Sequence, residues 1–323
     1  MKGSLKLKKK ILKKAKSLPK KTKNLLRVDI SVLTLIVFIF NLILIVGIVY
    51  VFYLISSTKI KKIPMSSTSN QVVPFVSDGF ADVSAKTFAV YEPNSRILIA
   101  GKNAHLRFTP ASASKIMTAL IALEQYQPDT ILKAGDMSVI GGSKMKLFTG
   151  EEMTVENLLY GMMLPSGNDA AIVLAQNYPS GQTAFVARMN QKAAELKLTN
   201  TRFLDPAGYE DENYTTAFDL VRLASFAFQN PLFRQIVGTK STVVYDVTGK
   251  FPHKLENLNE LLDIPGVVGV KTGFTDEAGG VLVTAIEKDG KTYFIAVLRS
   301  IDRFADTRSV INSIIEKINL LKF

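Results

Sequence analysis

The sequence predicts an α+β domain with an antiparallel sheet built from both ends of the domain, a helical subdomain inserted between those ends, and one transmembrane helix ahead of the domain. Alternating apolar patterns typical of hairpins stand near both ends of residues 85–323. Apolar residues at helical spacing fill the middle. An uncharged apolar stretch occupies residues 30–55.

Positive charge is concentrated at the start of the chain. The 323 residues carry a formal net charge of +12, yet residues 1–29 alone hold eleven Lys, one Arg and one Asp. The remaining residues are therefore close to neutral. A basic groove for nucleic acid is not predicted there, and no nucleic-acid partner is expected.

Residues 30–55 predict an uncleaved signal anchor. As a helix these residues would span ~39 Å at 1.5 Å per residue, more than the ~30 Å hydrocarbon core of a bilayer. A cleaved signal peptide has an apolar stretch of only ~7–15 residues and a small-residue cleavage site, and neither feature is evident. The lysines ahead of the anchor place residues 1–29 in the cytoplasm and the rest outside. Residues 56–84, rich in Ser, Thr, Lys and Pro, predict an extracytoplasmic linker.

Residues 85–323 predict the folded domain. One hairpin pairs residues 86–92 with 96–102, and a second joins "GGVLVTAIE" to "KTYFIAVLR" through the turn "KDG". The spacing of apolar residues predicts helices at 110–125, 154–163, 169–177, 180–196, 216–229, 255–262 and 303–321. The sequence has no cysteine and only two histidines, His105 and His253, so neither a metal centre nor a cofactor is predicted.

The stretch "TPASASKIMTAL" at 109–120 places a serine and a lysine three residues apart. Thr109 is suited to an N-cap and Pro110 to the first helical position, which makes Ser112 the third helical residue. Its N–H would then have no partner within the helix and could donate to an oxyanion. Ser112 and Lys115 would share one helix face.

A serine hydroxyl needs a base to become a good nucleophile, and Lys115 is the available base if it is neutral. Burial and a second cation both lower a lysine pKa, and Lys271 is a candidate for that cation. The pattern S-x-x-K is weak alone, since the chain also contains it at Ser17 and Ser56.

Two further motifs strengthen the pattern. "LPSGNDAA" at 164–171 places Ser166 and Asn168 in a turn before a helix, and "GVKTGFT" at 269–275 places Lys271 on a predicted strand. The ordered set S-x-x-K, S-x-N and K-T-G is specific to penicillin-binding proteins and related β-lactamases.

The chain resembles the serine-type D-alanyl-D-alanine carboxypeptidases, the low-molecular-weight penicillin-binding proteins. The likeness extends to "RFTPASASKIMTALIALE", "LFTGEEMTVENLLYGMMLPSGNDAA", "NTRFLDPAGYEDENYTTAFDLVRLA" and "NLNELLDIPGVVGVKTGFTDEAGG", and covers residues 84–323. The resemblance implies a β-lactamase/D,D-peptidase-like fold. It also implies removal of the terminal D-alanine from peptidoglycan pentapeptide stems, and β-lactams as covalent inhibitors.

The resemblance assigns catalytic roles to three residues. Ser112 would be the acylated nucleophile, Lys115 its base, and Ser166 the relay of a proton to the leaving D-alanine. Asn168 would hold the amide of the peptide.

The resemblance assigns the remaining roles to the third motif. Lys271 and Thr272 would fix the terminal carboxylate, and Gly273 would let the substrate backbone approach the strand edge. The oxyanion would lie between the N–H groups of Ser112 and Phe274. The implied location is the bacterial cytoplasmic membrane, crossed once by residues 30–55 instead of the C-terminal amphipathic anchor common in the family.

Several alternatives remain open. A D,D-endopeptidase or a transpeptidase would use the same residues on peptidoglycan cross-links. A class A β-lactamase is disfavoured because no E-x-x-L-N run lies between Ser166 and Lys271, and because Gly167 stands where those enzymes usually have Asp. An inactive wall-binding module is disfavoured because all three motifs are intact.

Four other polar residues have structural interpretations. Asp169 is predicted to cap the following helix, and Thr216 with Asp219 to form a helix-start pair. Arg299 and Asp306 either frame the site or close the fold.

Overall fold

The computed structural model describes residues 35, 37–48 and 81–320. The chain divides into two compact units, residues 1–71 and 72–323. In the first unit, residues 37–48 form an exposed helix. Among the described residues no helix is both long and apolar enough to cross a membrane. The predicted tail lies outside the described residues, as do half of the predicted anchor and most of the predicted linker.

The second unit is organised around a five-stranded antiparallel sheet. Its spatial order is β2-β1-β9-β8-β7. The strands are β1 (Thr87–Glu92), β2 (Ile97–Lys102), β7 (Val267–Thr275), β8 (Gly279–Lys288) and β9 (Lys291–Ser300). Strand β1 pairs with both β2 and β9, so the two ends of the domain share one sheet. This confirms the predicted antiparallel sheet and both predicted hairpins.

Within residues 81–320, seven α-helices lie between and after these strands. They are α1 (Lys115–Gln125), α2 (Val155–Met163), α3 (Asn168–Gln176), α4 (Gly181–Glu195), α5 (Ala217–Ala227), α6 (Pro231–Gly238) and α7 (Arg303–Leu320). Thr216 caps α5 by accepting the Asp219 N–H at 3.0 Å, as predicted. The remaining elements are short: β3 (Ile131–Lys133), β4 (Glu152–Thr154), β5 (Ser241–Tyr245), β6 (Pro252–Glu256) and two 3-10 helices, Ala111–Ser114 and Glu260–Asp263.

Both faces of the sheet are buried, which explains the nearly continuous apolar composition of β8 and β9. Successive residues of a strand point to opposite faces. Val297 therefore packs with Val310 and Ile314 of α7, whereas Leu298 belongs to the larger core that contains the inserted helices. Helix α5 contacts β1 and β9 directly, and this contact joins the sheet to the helical subdomain.

Two predicted elements differ from the structure. The predicted helix at 110–125 begins as the 3-10 turn Ala111–Ser114 and becomes α-helical only at Lys115. The helix predicted at 255–262 is wrong: strand β6 ends at Glu256, and the second 3-10 helix begins after Asn259, whose side chain caps it. Helix α6 and the two small hairpins β3–β4 and β5–β6 were not predicted. The strands of these hairpins have three to five residues, which carry too little periodicity.

Candidate active site

The segment before α1 is a strained turn instead of a regular helix start. Ala111 has a φ of 47°, a left-handed value that is uncommon for residues other than glycine. The Thr109 hydroxyl donates to the Asp211 carbonyl at 3.1 Å, and Pro110 occupies the N-cap position. The predicted capping by Thr109 is therefore wrong. Ser112 is partly exposed, and among residues 81–320 no acceptor is recorded for its N–H.

Lys115 lies in the domain core, and its amine contacts three oxygen atoms. Its exposed fraction is 0%. Nζ lies 2.9 Å from Ser112 Oγ, 2.7 Å from Asn168 Oδ1 and 2.7 Å from the Ala207 carbonyl oxygen. The predicted nucleophile and base are therefore in direct contact, and two acceptors direct the amine toward the serine.

Burial lowers the pKa of Lys115 to about 7, because it penalises the charged ammonium, while the carboxylates of Asp205 and Asp169 partly oppose this shift. A substantial fraction of the molecules therefore carries a neutral amine near neutral pH. Burial, one of the two causes predicted from the sequence, is the largest cause. The repulsion between Lys115 and Lys271, the candidate second cation, contributes to the lowered pKa of Lys271.

Asp205 was not recognised as a site residue from the sequence. Its carboxylate accepts the N–H groups of Ala207 and Gly208, each at 2.7 Å, and thereby fixes the loop that presents the Ala207 carbonyl to Lys115. Gly208 has a φ of 74°, and a Cβ there would overlap the Ala111 carbonyl. The dipeptide Asp-Pro at 205–206, followed by Gly208, is a turn signal that could have identified this loop.

Asn168, the first residue of α3, is held at both ends of its amide. Oδ1 accepts from Lys115, and Nδ2 donates to the Gly141 carbonyl at 2.8 Å. Its N–H donates to the Ser143 carbonyl at 2.7 Å. The Gly141 contact sets which end of the amide faces the lysine. The predicted contact between Asn168 and a peptide amide stays a prediction.

Asp169 is not the N-cap residue of α3, since Gly167 occupies that position, but its carboxylate accepts the Ala170 N–H in the first turn of α3 at 2.9 Å. Its carboxylate accepts the N–H groups of Met145 at 2.9 Å, Lys146 at 2.8 Å and Leu147 at 3.0 Å. Asn168 and Asp169 together therefore fix the segment 141–147 against the start of α3.

Ser166 lies two residues before Asn168 in the turn that precedes α3. Its φ is 65°, and its side chain is buried with an exposed fraction of 4%. Within residues 81–320 no hydrogen bond from its hydroxyl is recorded. The hydroxyl is therefore available to a substrate, and its predicted role as a proton relay stays a prediction.

Strand β7 forms an edge of the sheet and brings the third motif beside the serine. A Cβ added to Gly273 would lie 3.1 Å from the Ser112 N atom. A side chain here would crowd the 3-10 turn, so the packing of β7 against that turn favours glycine, a reason the sequence did not suggest. Burial, with the charges of Lys115 and Arg303, lowers the pKa of Lys271 well below its usual value.

Among the other residues at the third motif, Lys271 and Thr272 are buried, whereas Phe274 is exposed. Lys271 Nζ donates to the Thr272 carbonyl at 3.0 Å, and both residues are buried. The Phe274 side chain is 60% exposed, so its predicted contribution would come from the backbone. Direct contacts join Ser112, Lys115 and Asn168, while Gly273 lies against Ser112. For Ser166, Thr272 and Phe274 no direct contact with this group is recorded.

This arrangement suits acyl transfer. A partly exposed hydroxyl contacts a buried amine that loses its proton near pH 7. Among residues 81–320 no acceptor is recorded for the N–H of the same serine, and the edge strand β7 packs against this turn. These are the parts that nucleophilic catalysis with oxyanion stabilisation requires.

Comparison with known proteins agrees with this geometry. The sequence model of the D-alanyl-D-alanine carboxypeptidase family, peptidase S11, matches residues 73–301. D-alanyl-D-alanine carboxypeptidase DacF of Bacillus subtilis is 36% identical over 222 residues, which cover 66% of this chain but 57% of that relative. A D-alanyl-D-alanine carboxypeptidase of Streptomyces sp. strain K15 is 38% identical over 234 residues, or 65% of this chain and 80% of the relative. Other curated relatives are named D-alanyl-D-alanine endopeptidase.

The fold has counterparts among solved structures. The crystal structure of the Streptomyces K15 DD-transpeptidase aligns with a TM-score of 0.68 and 34% identity, over 72% of this chain and 97% of that chain. With the sheet, the inserted helices and the three motifs in order, these matches establish that the chain belongs to the D-alanyl-D-alanine carboxypeptidase family.

Proposed function

We propose that this chain is a serine D,D-carboxypeptidase that removes the terminal D-alanine from peptidoglycan pentapeptide stems. The observation that carries the proposal is the 2.9 Å contact between Ser112 Oγ and the buried Lys115 amine, whose pKa is lowered to about 7. Lys115 takes the serine proton, Ser112 attacks the carbonyl between the two D-alanines, and water then hydrolyses the acyl-enzyme.

The remaining motif residues bind the substrate in this proposal. The N–H groups of Ser112 and Phe274 receive the oxyanion, and Lys271 with Thr272 receives the terminal carboxylate. Ser166 passes a proton to the leaving D-alanine. A β-lactam would acylate Ser112 in the same way and remain bound, because its ring-opened product keeps the leaving group attached.

The alternative activity is transpeptidation, in which the acyl group is transferred to a second stem. It is favoured because a solved structure 34% identical to this chain is that of a DD-transpeptidase. The chemistry up to the acyl-enzyme is shared. The two activities differ in whether water or an amine of another stem takes the acyl group.

One experiment tests the function. The purified protein and its Ser112→Ala variant are incubated with monomeric pentapeptide, with a cross-linked dimer, and with pentapeptide plus an acceptor stem, and each is labelled with a fluorescent penicillin. We expect the wild type to release D-alanine from the monomer and to be labelled covalently, and the variant to do neither. Retained labelling of the variant would contradict Ser112 as the nucleophile. Cleavage of the dimer alone would assign an endopeptidase, and formation of a new dimer a transpeptidase.

We also propose that residues 30–55 anchor the enzyme in the bacterial cytoplasmic membrane with the catalytic domain outside. The support is the uncharged stretch at 30–55 and the excess of lysine in residues 1–29. Protease added to intact wall-free cells should digest the domain, whereas a tag fused at the N-terminus should be cut only after lysis. A domain that survives until lysis would contradict this topology.

A further inference from the structure

A buried histidine and glutamate link the β5–β6 hairpin to the segment that holds Asn168. His253 lies on β6 and Glu151 just before β4, and both side chains are almost fully buried. His253 Nε2 lies 2.6 Å from Glu151 Oε1, and Nδ1 lies 3.0 Å from the Met145 carbonyl oxygen. The second oxygen of Glu151 accepts the Phe148 N–H at 3.0 Å.

This pair lies outside the group of residues that contact Ser112 but is joined to it by a chain of contacts. The Met145 N–H donates to the Asp169 carboxylate, and the Met145 carbonyl oxygen contacts His253 Nδ1. The backbone of Met145 is therefore held from both sides. The same segment contains Gly141, whose carbonyl orients the Asn168 amide toward Lys115.

The geometry sets the protonation of the pair. Both ring nitrogens of His253 face oxygen acceptors, yet a neutral imidazole has one N–H to donate. Two hydrogen bonds therefore need one further proton, carried either by the ring or by Glu151. With a single ring N–H, placed on Nε2 against the Glu151 carboxylate, the lone pair of Nδ1 would face the Met145 carbonyl oxygen and repel it.

Other charged groups near the pair have their own partners or are in solvent. Lys146 and Lys254, next to Met145 and His253 along the chain, are exposed. Glu152 lies 3.9 Å from Lys133 in an exposed ion pair. Asp169, on the far side of Met145, is bound by four backbone N–H groups.

We propose that His253, protonated jointly with Glu151, is a positioning residue that holds segment 141–147 in place and thereby keeps Asn168 and the Lys115 amine aligned with Ser112. This inference rests on the proposed function for its kinetic test. Its structural part, the immobilisation of the segment, does not depend on activity.

Two matched substitutions separate the two contacts of His253. In His253→Asn the side-chain amide can place a donor where Nδ1 lies, and so keep the contact with Met145. In His253→Gln the amide reaches the position of Nε2 and keeps only the contact with Glu151. His105→Gln, at an exposed histidine, is the control.

The rate constant for acylation by a fluorescent penicillin is measured per active molecule, together with thermal midpoints and hydrogen exchange of residues 145–147. We expect His253→Asn to stay within about threefold of wild type and His253→Gln to fall about tenfold, or about 1.4 kcal/mol in activation free energy. Exchange at 145–147 should be faster in His253→Gln than in His253→Asn. Equal acylation rates and equal exchange in these two variants would overturn the proposal, even where both are less stable than wild type.

Glu151→Gln tests whether matched hydrogen bonds alone hold the segment. The glutamine can accept the Phe148 N–H with its oxygen and donate its NH2 to Nε2, while Nδ1–H donates to Met145, so both contacts survive without the extra proton. We expect acylation at pH 7 and exchange at 145–147 to stay near wild type. A loss of acylation as large as that expected for His253→Gln, about tenfold, would overturn the proposal. A wild type that no penicillin labels would contradict the proposed function, while the exchange measurement would still test the positioning of the segment.

Discussion

At the scale of single residues, Lys115 connects burial to reactivity. An exposed lysine is almost entirely protonated at neutral pH and cannot take a proton from serine. Complete burial changes this by penalising the ammonium form, and the two nearby carboxylates keep the pKa from falling further than about 7. The amine thus remains basic enough to accept a proton from Ser112 and is still neutral in a large fraction of molecules.

Acylation should therefore follow the titration of this amine. The pKa is lowered, so the neutral base is lost as the pH falls through about 7. We expect the rate constant for penicillin acylation to rise about tenfold per pH unit below that value and then to level. Lys115→Arg should abolish acylation, because a guanidinium keeps its proton. Lys250→Arg, at an exposed position, is the control. A flat profile or an active Lys115→Arg variant would assign the base elsewhere.

At the scale of elements, predictions succeeded where local pattern and tertiary environment agree. The hairpin β8–β9 has ten-residue strands around a Gly-containing turn, and α5 has its own cap. The turn before α1 has a local pattern suited to a helix start. However, Ala111 is left-handed there and packs against Gly208 and Gly273. That packing joins segments far apart in sequence, and propensity does not encode it.

The groups that form the candidate site are also of two kinds, those that the sequence predicts and those that it does not. The serine and lysine of the first motif and the glycine of the third were predicted because side-chain type and spacing identify them. The carbonyls of Ala207 and Gly141, which fix Lys115 and Asn168, were not predicted, because any residue has a carbonyl. Asp205 is visible in the sequence only as a turn residue, although its charge acts on Lys115.

At the scale of the whole molecule, one carboxylate joins the two ends of the catalytic domain. Asp306, near the start of α7, is 6% exposed. It accepts the N–H groups of Ser84 and Ala85, each at 2.8 Å, and the hydroxyls of Ser84 and Ser300. Of the two interpretations that the sequence left open for Asp306, these contacts support closure of the fold. The donors lie just before β1 and at the end of β9, so this carboxylate secures the pairing of the first and last long segments.

Asp306→Ala should lower the stability of the catalytic domain without changing its chemistry. The substitution leaves the buried Ala85 N–H and the partly buried Ser84 N–H without their acceptor, at a cost of about 3 kcal/mol. For a domain of this size that corresponds to a thermal midpoint lower by about 6–12 °C. Asp82→Ala is the matched control, since Asp82 is exposed near the same junction and no hydrogen bond to its side chain is recorded among the described residues. Calorimetry measures the midpoints, and penicillin acylation at 25 °C should stay close to wild type in both variants. A midpoint for Asp306→Ala equal to that of the control would mean that the strand pairing of β1 with β9 holds the domain closed without this carboxylate.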